Sequence, residues 1–182
     1  MPSNKPRLYV ALYVRSGSPK MPGLEDTYHW ALIVGPKTET EISEGVRFHA
    51  HDRMTVVEDE AQHIWRHEEM SVSMSPVLMI LIRVMVAKVA DMDRLVAVLR
   101  STSVGGEEVG WNGISWVRAV LNRLEVDGGC LGKSGVEWDV IRNAAMWYVG
   151  KKKAEHRFDG QASFDGTRVP TYDLLQGKEV VA

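Results

Sequence analysis

An α+β fold is what this sequence predicts, and three observations carry the prediction. The first half is rich in short runs of β-branched and aromatic residues. Beyond residue 90 the hydrophobic period changes from that of strands to that of helices. No linker interrupts the 182 residues. The expectation is a single domain, 1–182, with an antiparallel sheet from the N-terminal half packed against helices from the C-terminal half. A chain of this length can bury one substantial core.

The elements follow in order. "RLYVALYV" (7–14) reads as a first strand and "RSGSPKMPGLEDT" (15–27) as a loop punctuated by Gly and Pro. "YHWALIVG" (28–35) is a second strand. "GVRFHAHD" (45–52) and "RMTVVED" (53–59) predict two more around a tight turn, while "AQHIWRHEEM" (61–70) suits helix and strand equally. The run 77–90 is apolar on both faces for most of its length, as expected of a central strand covered on both sides. Asp91 is placed to cap a helix over 91–101, with Leu95, Val98 and Leu99 at helical spacing. "TSVGGEEVG" (102–110) is a loop.

Asn112 is placed to cap a second helix over 112–124, whose stripe is Ile114, Val117, Val120, Leu121 and Leu124. "DGGCLGKSG" (127–135) breaks it. Ser134 and Glu137 predict a capping box for a last helix, with Val140, Ile141, Ala144, Ala145 and Tyr148 facing inward. "KKK" (151–153) reads as a solvated helix end that complements the dipole. The tail 158–182, with "FDG" twice, predicts turns packed on the surface.

Composition narrows the partners. A formal charge of −2 with 45% hydrophobic and 25% charged residues fits a globular protein with a small-molecule or peptide ligand, and gives no reason to expect nucleic acid. The single cysteine, Cys130, rules out an intramolecular disulfide and fits a reducing compartment. "MPSNKPR" lacks the apolar run of a secretory signal, and 77–90 is too short and, with Arg83 and Lys88, too charged to span a bilayer. The expectation is a cytoplasmic protein with no cofactor and no membrane span. The oligomeric state is left open. Six tryptophans suit a packed core better than a pocket.

The residues that bear on chemistry are "YHWALIVG", then "FHAHD" about 20 residues later, then "WNGISWV". Together they resemble the circularly permuted papain-like fold of lecithin retinol acyltransferases, related phospholipid acyltransferases and cell-wall endopeptidases of the NlpC type. The resemblance covers roughly residues 7–125. It implies that His29 is the base, that His49 orients it, and that Asn112 opens the nucleophile helix. The family's cysteine would then fall at residue 113, where this chain has Gly113. That departure puts thiol chemistry at this position out of reach, whether the glycine is natural or engineered.

The physics of residue 113 is separate from the name. As the first helical residue after a cap it lies where free N–H groups and the dipole favour negative charge, so an oxyanion or carboxylate site is expected to survive the loss of the thiol. Trp30 and Trp111, each adjacent in sequence to a site residue, are expected to wall the cleft. Ser115 points away around the helix, and Cys130 reads as a free structural thiol. His49 and His51 share a strand face and with His29 form a conceivable three-His set; His63 and His67 form another if 61–70 is helical. No acidic or Cys ligand is spaced to complete either, so no metal is expected.

Three functions stay open. The first is a hydrolase or acyl-transfer-type protein acting on a small amide, ester or thioester, with Gly113 in place of the nucleophile. The second is an isomerase, lyase or cyclase that uses His29 in non-covalent acid–base chemistry. The third is a pseudoenzyme that binds a ligand or peptide without catalysis.

Overall fold

The computed structural model describes residues 4–182, and its architecture is α+β. In chain order the elements are β1 (Arg7–Val14), a short 3₁₀ turn (Glu25–Thr27), β2 (Tyr28–Gly35), β3 (Glu44–Val57), β4 (Glu60–Ser73), β5 (Ile80–Val89), α1 (Met92–Arg100), α2 (Gly113–Asp127), β6 (Leu131–Ser134), α3 (Trp138–Ala154), β7 (Thr171–Asp173) and β8 (Lys178–Val181). The strands form one sheet in the order β4-β3-β2-β1-β5-β7-β8, with β6 pairing β5. The sheet is mixed, because β7 runs parallel to β5 while the other pairs are antiparallel. No described helix is long and apolar enough to cross a membrane.

Strand alternation gives the sheet two unequal faces. Leu8, Val10 and Leu12 of β1, Trp30 and Leu32 of β2, and Phe48 and Ala50 of β3 join the main core with Ile114, Trp116, Val117, Val120 and Leu121 of α2. Tyr9, Ala11, Tyr13, Ala31, Ile33 and Met85 belong to a smaller cluster on the other face. One face is therefore covered by helices and the other by little beyond its own side chains. β5 is buried on both faces, as its continuous apolar run requires.

Several elements differ from the sequence reading. The segments 45–52 and 53–59 are one strand, β3, and the turn comes later at Glu58 and Asp59, both at positive φ. β3 and β4 pair along their full lengths from Glu44↔Ser73 to Val57↔Glu60, so 61–70 is strand. The helix start at Trp138 has Glu137 as its N-cap with no side-chain cap bond, and Ser134 belongs to β6; the capping box expected there does not form. In α3, Ile141, Ala145 and Tyr148 are buried, but Val140 is exposed and Val149 and Lys152 take the inner positions instead. Lys152 is 1% exposed, not solvated: it pairs with Glu155 and Glu179, each at 2.6 Å. The 158–182 tail supplies β7 and β8, and thus extends the sheet rather than strapping its surface.

Candidate functional site

β2 and β3 pair only over Leu32↔Phe48 to Val34↔Val46, and beyond that point the histidines project from the same, helix-free face. His29 lies opposite Tyr13 in the β1–β2 register, on the face of Ala11 and Ala31. His49 alternates with the core residues Phe48 and Ala50 and so shares that face. The two rings meet edge-on, with His29 Nε2 and His49 Nδ1 2.6 Å apart. Behind them His49 Nε2 lies 3.0 Å from Glu68 Oε1, because His49 and Glu68 are directly opposite in the β3–β4 register. Arg47 reaches the same carboxylate oxygen at 3.4 Å and lies over the Tyr13 ring.

The chain of groups fixes its own protons. Glu68 is held below the usual carboxylate range, first by its bond to His49, so it is an ionised acceptor. His49 therefore donates through Nε2–H and presents a bare Nδ1, to which His29 must donate through Nε2–H. The lone pair of His29 is left on Nδ1. Burial depresses both imidazoles, His29 to about 3, reinforced by the neighbouring His49, and His49 to about 4 in spite of Glu68. Both rings are neutral at physiological pH.

The helix start belongs to the opposite side. Trp30 is 1% exposed, its indole N–H donates to Glu25 O at 2.8 Å and its ring packs on Trp138, so it is core and lines no open cleft. Trp111 is half-buried and packs edge-on against Trp65. Asn112 caps α2, its Oδ1 accepting from the N–H groups of Ile114 (2.9 Å) and Ser115 (3.2 Å), while its own N–H donates to Ser115 Oγ (3.2 Å). Ser115 thus completes a capping box, its Oγ accepting from the Asn112 N–H. Two of the N–H groups expected to hold an anion are already used.

Gly113 is closely packed. A Cβ built on it would lie 2.7 Å from the carbonyl oxygen of Ala50, and its three nearest neighbours come from Ala50 and Trp65, not from His29. The structure thus brings His29 and His49 together but sets Trp30 and the 111–113 helix start on the helix side of the sheet. Cys130 is fully buried, and burial together with Asp127 pushes its thiol up to about 11, which keeps it protonated and inert.

His63 and His67 share one face of β4 and differ in burial. His63 is exposed and pairs with Asp52, whereas His67 is half-buried and packs between Phe48 and Trp116. Four residues apart on a strand they are about 13 Å apart along the chain, too far to share a metal. His49, His51 and Glu68 do place one ligand-type atom each within 4.8 Å of one another, and this trio could hold a divalent cation. In the structure its atoms are already paired among themselves, both histidines facing the Glu68 carboxylate.

Glu68 is the residue sequence reasoning missed. It is 19 residues from His49, and only the full-length β3–β4 pairing brings the two face to face. The signal was present in the strand reading of 61–70, where Glu68 falls on the polar face that alternates with His67. Comparison with curated proteins finds no match, and neither does comparison with solved structures. A family model, by contrast, matches residues 5–181, nearly the whole described chain. The chain belongs to a family of unknown function, DUF6914.

Proposed function

We propose that this chain is a non-covalent acid–base enzyme acting on a small molecule, on a scaffold that resembles the permuted papain-like fold but works without a thiol. The observation that carries the reading is the unbroken relay Glu68–His49–His29, which leaves a lone pair on a half-buried imidazole. His29 Nδ1 takes a proton from a substrate carbon or hydroxyl. Burial disfavours the imidazolium so formed, so it is transient, held by its hydrogen bond through His49 to the Glu68 carboxylate, and the same proton is returned to a second substrate atom. Isomerisation, elimination and cyclisation are reaction types that such a proton carrier serves. The packing of Gly113 against Ala50 speaks against a thiol having been cut away from that position, and it disfavours the covalent acyl-transfer reading.

Two measurements test the proposal. Ring ¹⁵N shifts at neutral pH are expected to show both His29 and His49 protonated on Nε2 and bare on Nδ1; a proton on His29 Nδ1 would overturn the relay. A panel of small carbonyl metabolites in ²H₂O is then followed by proton NMR for exchange or conversion, with EDTA present so that a cation held by the His49 trio does not contribute. Turnover is expected to fall about 10²- to 10⁴-fold in His29→Ala. Activity indifferent to His29, or appearing only in Gly113→Cys, rejects the reading.

A further inference from the structure

The helix-free face carries a second feature, away from the relay. Between β1, β5 and the β7–β8 hairpin lies a half-open cavity of about 500 Å³, a volume typical of small-molecule sites. Its walls include Arg7, Lys37, Arg83, Lys88, Lys133 and Arg168. Arg83 is 3% exposed and already answered: it pairs with Glu39 at 2.7 Å, donates to Thr171 Oγ1 at 2.8 Å and stacks on Tyr9. The other five cations have no carboxylate within ion-pair distance among the described residues. Asp173, the second acid in the wall, has both oxygens engaged by Gln176.

Five unanswered cations around one hollow are an unexpected arrangement in a chain whose net charge is −2. They repel one another, most where Arg7 is buried and Lys88 half-buried on the sheet, and less at Lys37, Lys133 and Arg168, which are exposed to water. Two features make this more than a basic surface. Arg7 is 8% exposed, its guanidinium anchored on the Lys5 carbonyl at 2.6 Å, and Tyr9 packs beside it on the same strand face. The positive charge is thus partly fixed by the sheet and not carried on mobile side chains alone.

We propose that this cavity binds a small polyanion, a molecule carrying two or more phosphate or carboxylate groups, whose charge neutralises Arg7, Lys88, Lys133 and Arg168 together. The site is distinct from the relay: Tyr9, at the cavity, and Tyr13, beside His29, are four residues apart on β1, about 13 Å. Binding here does not depend on the proposed activity.

Isothermal titration of the whole protein at low salt with pyrophosphate and, separately, with citrate tests the proposal. Saturable one-to-one binding of either is expected, pyrophosphate alone indicating a phosphate ligand and citrate alone a polycarboxylate. The double variant Lys88→Glu/Lys133→Glu changes one half-buried and one exposed wall residue, and its melting temperature is measured alongside to show that it folds. It is expected to weaken binding at least about tenfold, the scale of one charge-assisted hydrogen bond. His29→Ala is expected to bind as the wild type does. Absence of saturable binding by both probes overturns the proposal, as does binding that the double reversal leaves unchanged.

Discussion

His29 and His49 stay neutral in the folded protein, yet in the unfolded chain they titrate near 6.5. Between those values the unfolded state binds more protons than the folded one, so stability falls as pH falls. His67, also depressed by burial, acts in the same direction. The lowered carboxylates, Glu68 among them, titrate in the unfolded chain at about 4.5 or below, so they contribute only beneath that pH. The window from about pH 6.5 to 4.5 therefore reports the histidines. Melting temperature is expected to drop across it, and His49→Gln is expected to flatten the profile; a wild-type profile already flat there would show the rings are not desolvated. At this scale much was legible. The pairing of His29 with His49 was implied by the family resemblance, and strand alternation, which sets each beside core residues, is what puts both on one face. Glu68 was not, since its role depends on a hairpin register that a strand-or-helix ambiguity at 61–70 had hidden.

At the scale of elements, α2 shows what a sequence states and what it withholds. Asn112, the apolar stripe and the αL Gly128 at its end are local features, and the helix forms where they say. How its first turn meets the sheet is not local. Gly113 lies against the Ala50 carbonyl of β3, and that contact cannot be read from either segment alone. The same contact sets a prediction opposite in sign to propensity. Replacing glycine by alanine in a helix is ordinarily worth up to about 1 kcal/mol in favour of alanine. Here the added Cβ would fall 2.7 Å from backbone oxygen, which has no flexible end to give way. Gly113→Ala is therefore expected to destabilise by about 1–3 kcal/mol, the scale of an overpacked core, measured by urea unfolding with unchanged m-value. A stabilised variant would mean that α2 docks more loosely than this. The Lys151–Lys153 run shows the same limit: propensity and dipole place it at a helix end, but only the third dimension turns Lys152 inward to Glu179.

The whole molecule depends on a segment that its sequence makes look dispensable. Residues 158–182 hold turn-rich, polar text, and their strands are among the shortest of the sheet, too short for periodicity to declare them. Yet β7 lies parallel along the central strand β5 from Arg83↔Thr171 to Met85↔Asp173, and β8 closes over it. Three buried groups far apart in sequence each take a partner there, beside the Glu39 and Glu155 that also hold Arg83 and Lys152. Arg83 Nε donates to Thr171 Oγ1, the fully buried Tyr148 hydroxyl donates to the Val181 carbonyl at 3.0 Å, and Lys152 pairs with Glu179. Removing the hairpin would leave a guanidinium, an ammonium and a phenol short of partners inside the protein, and would open one edge of the most apolar strand. Each lost partner costs on the order of 1–3 kcal/mol, and with the bared edge of β5 the total is a large part of the stability of a domain. Deletion of residues 168–182 is thus expected to abolish cooperative thermal unfolding, whereas a deletion confined to the exposed turns at 160–163 is expected to preserve it. Were the 168–182 deletion to melt sharply near the wild-type temperature, the sheet would be self-sufficient through β5, and the tail would be the surface strap its composition suggests.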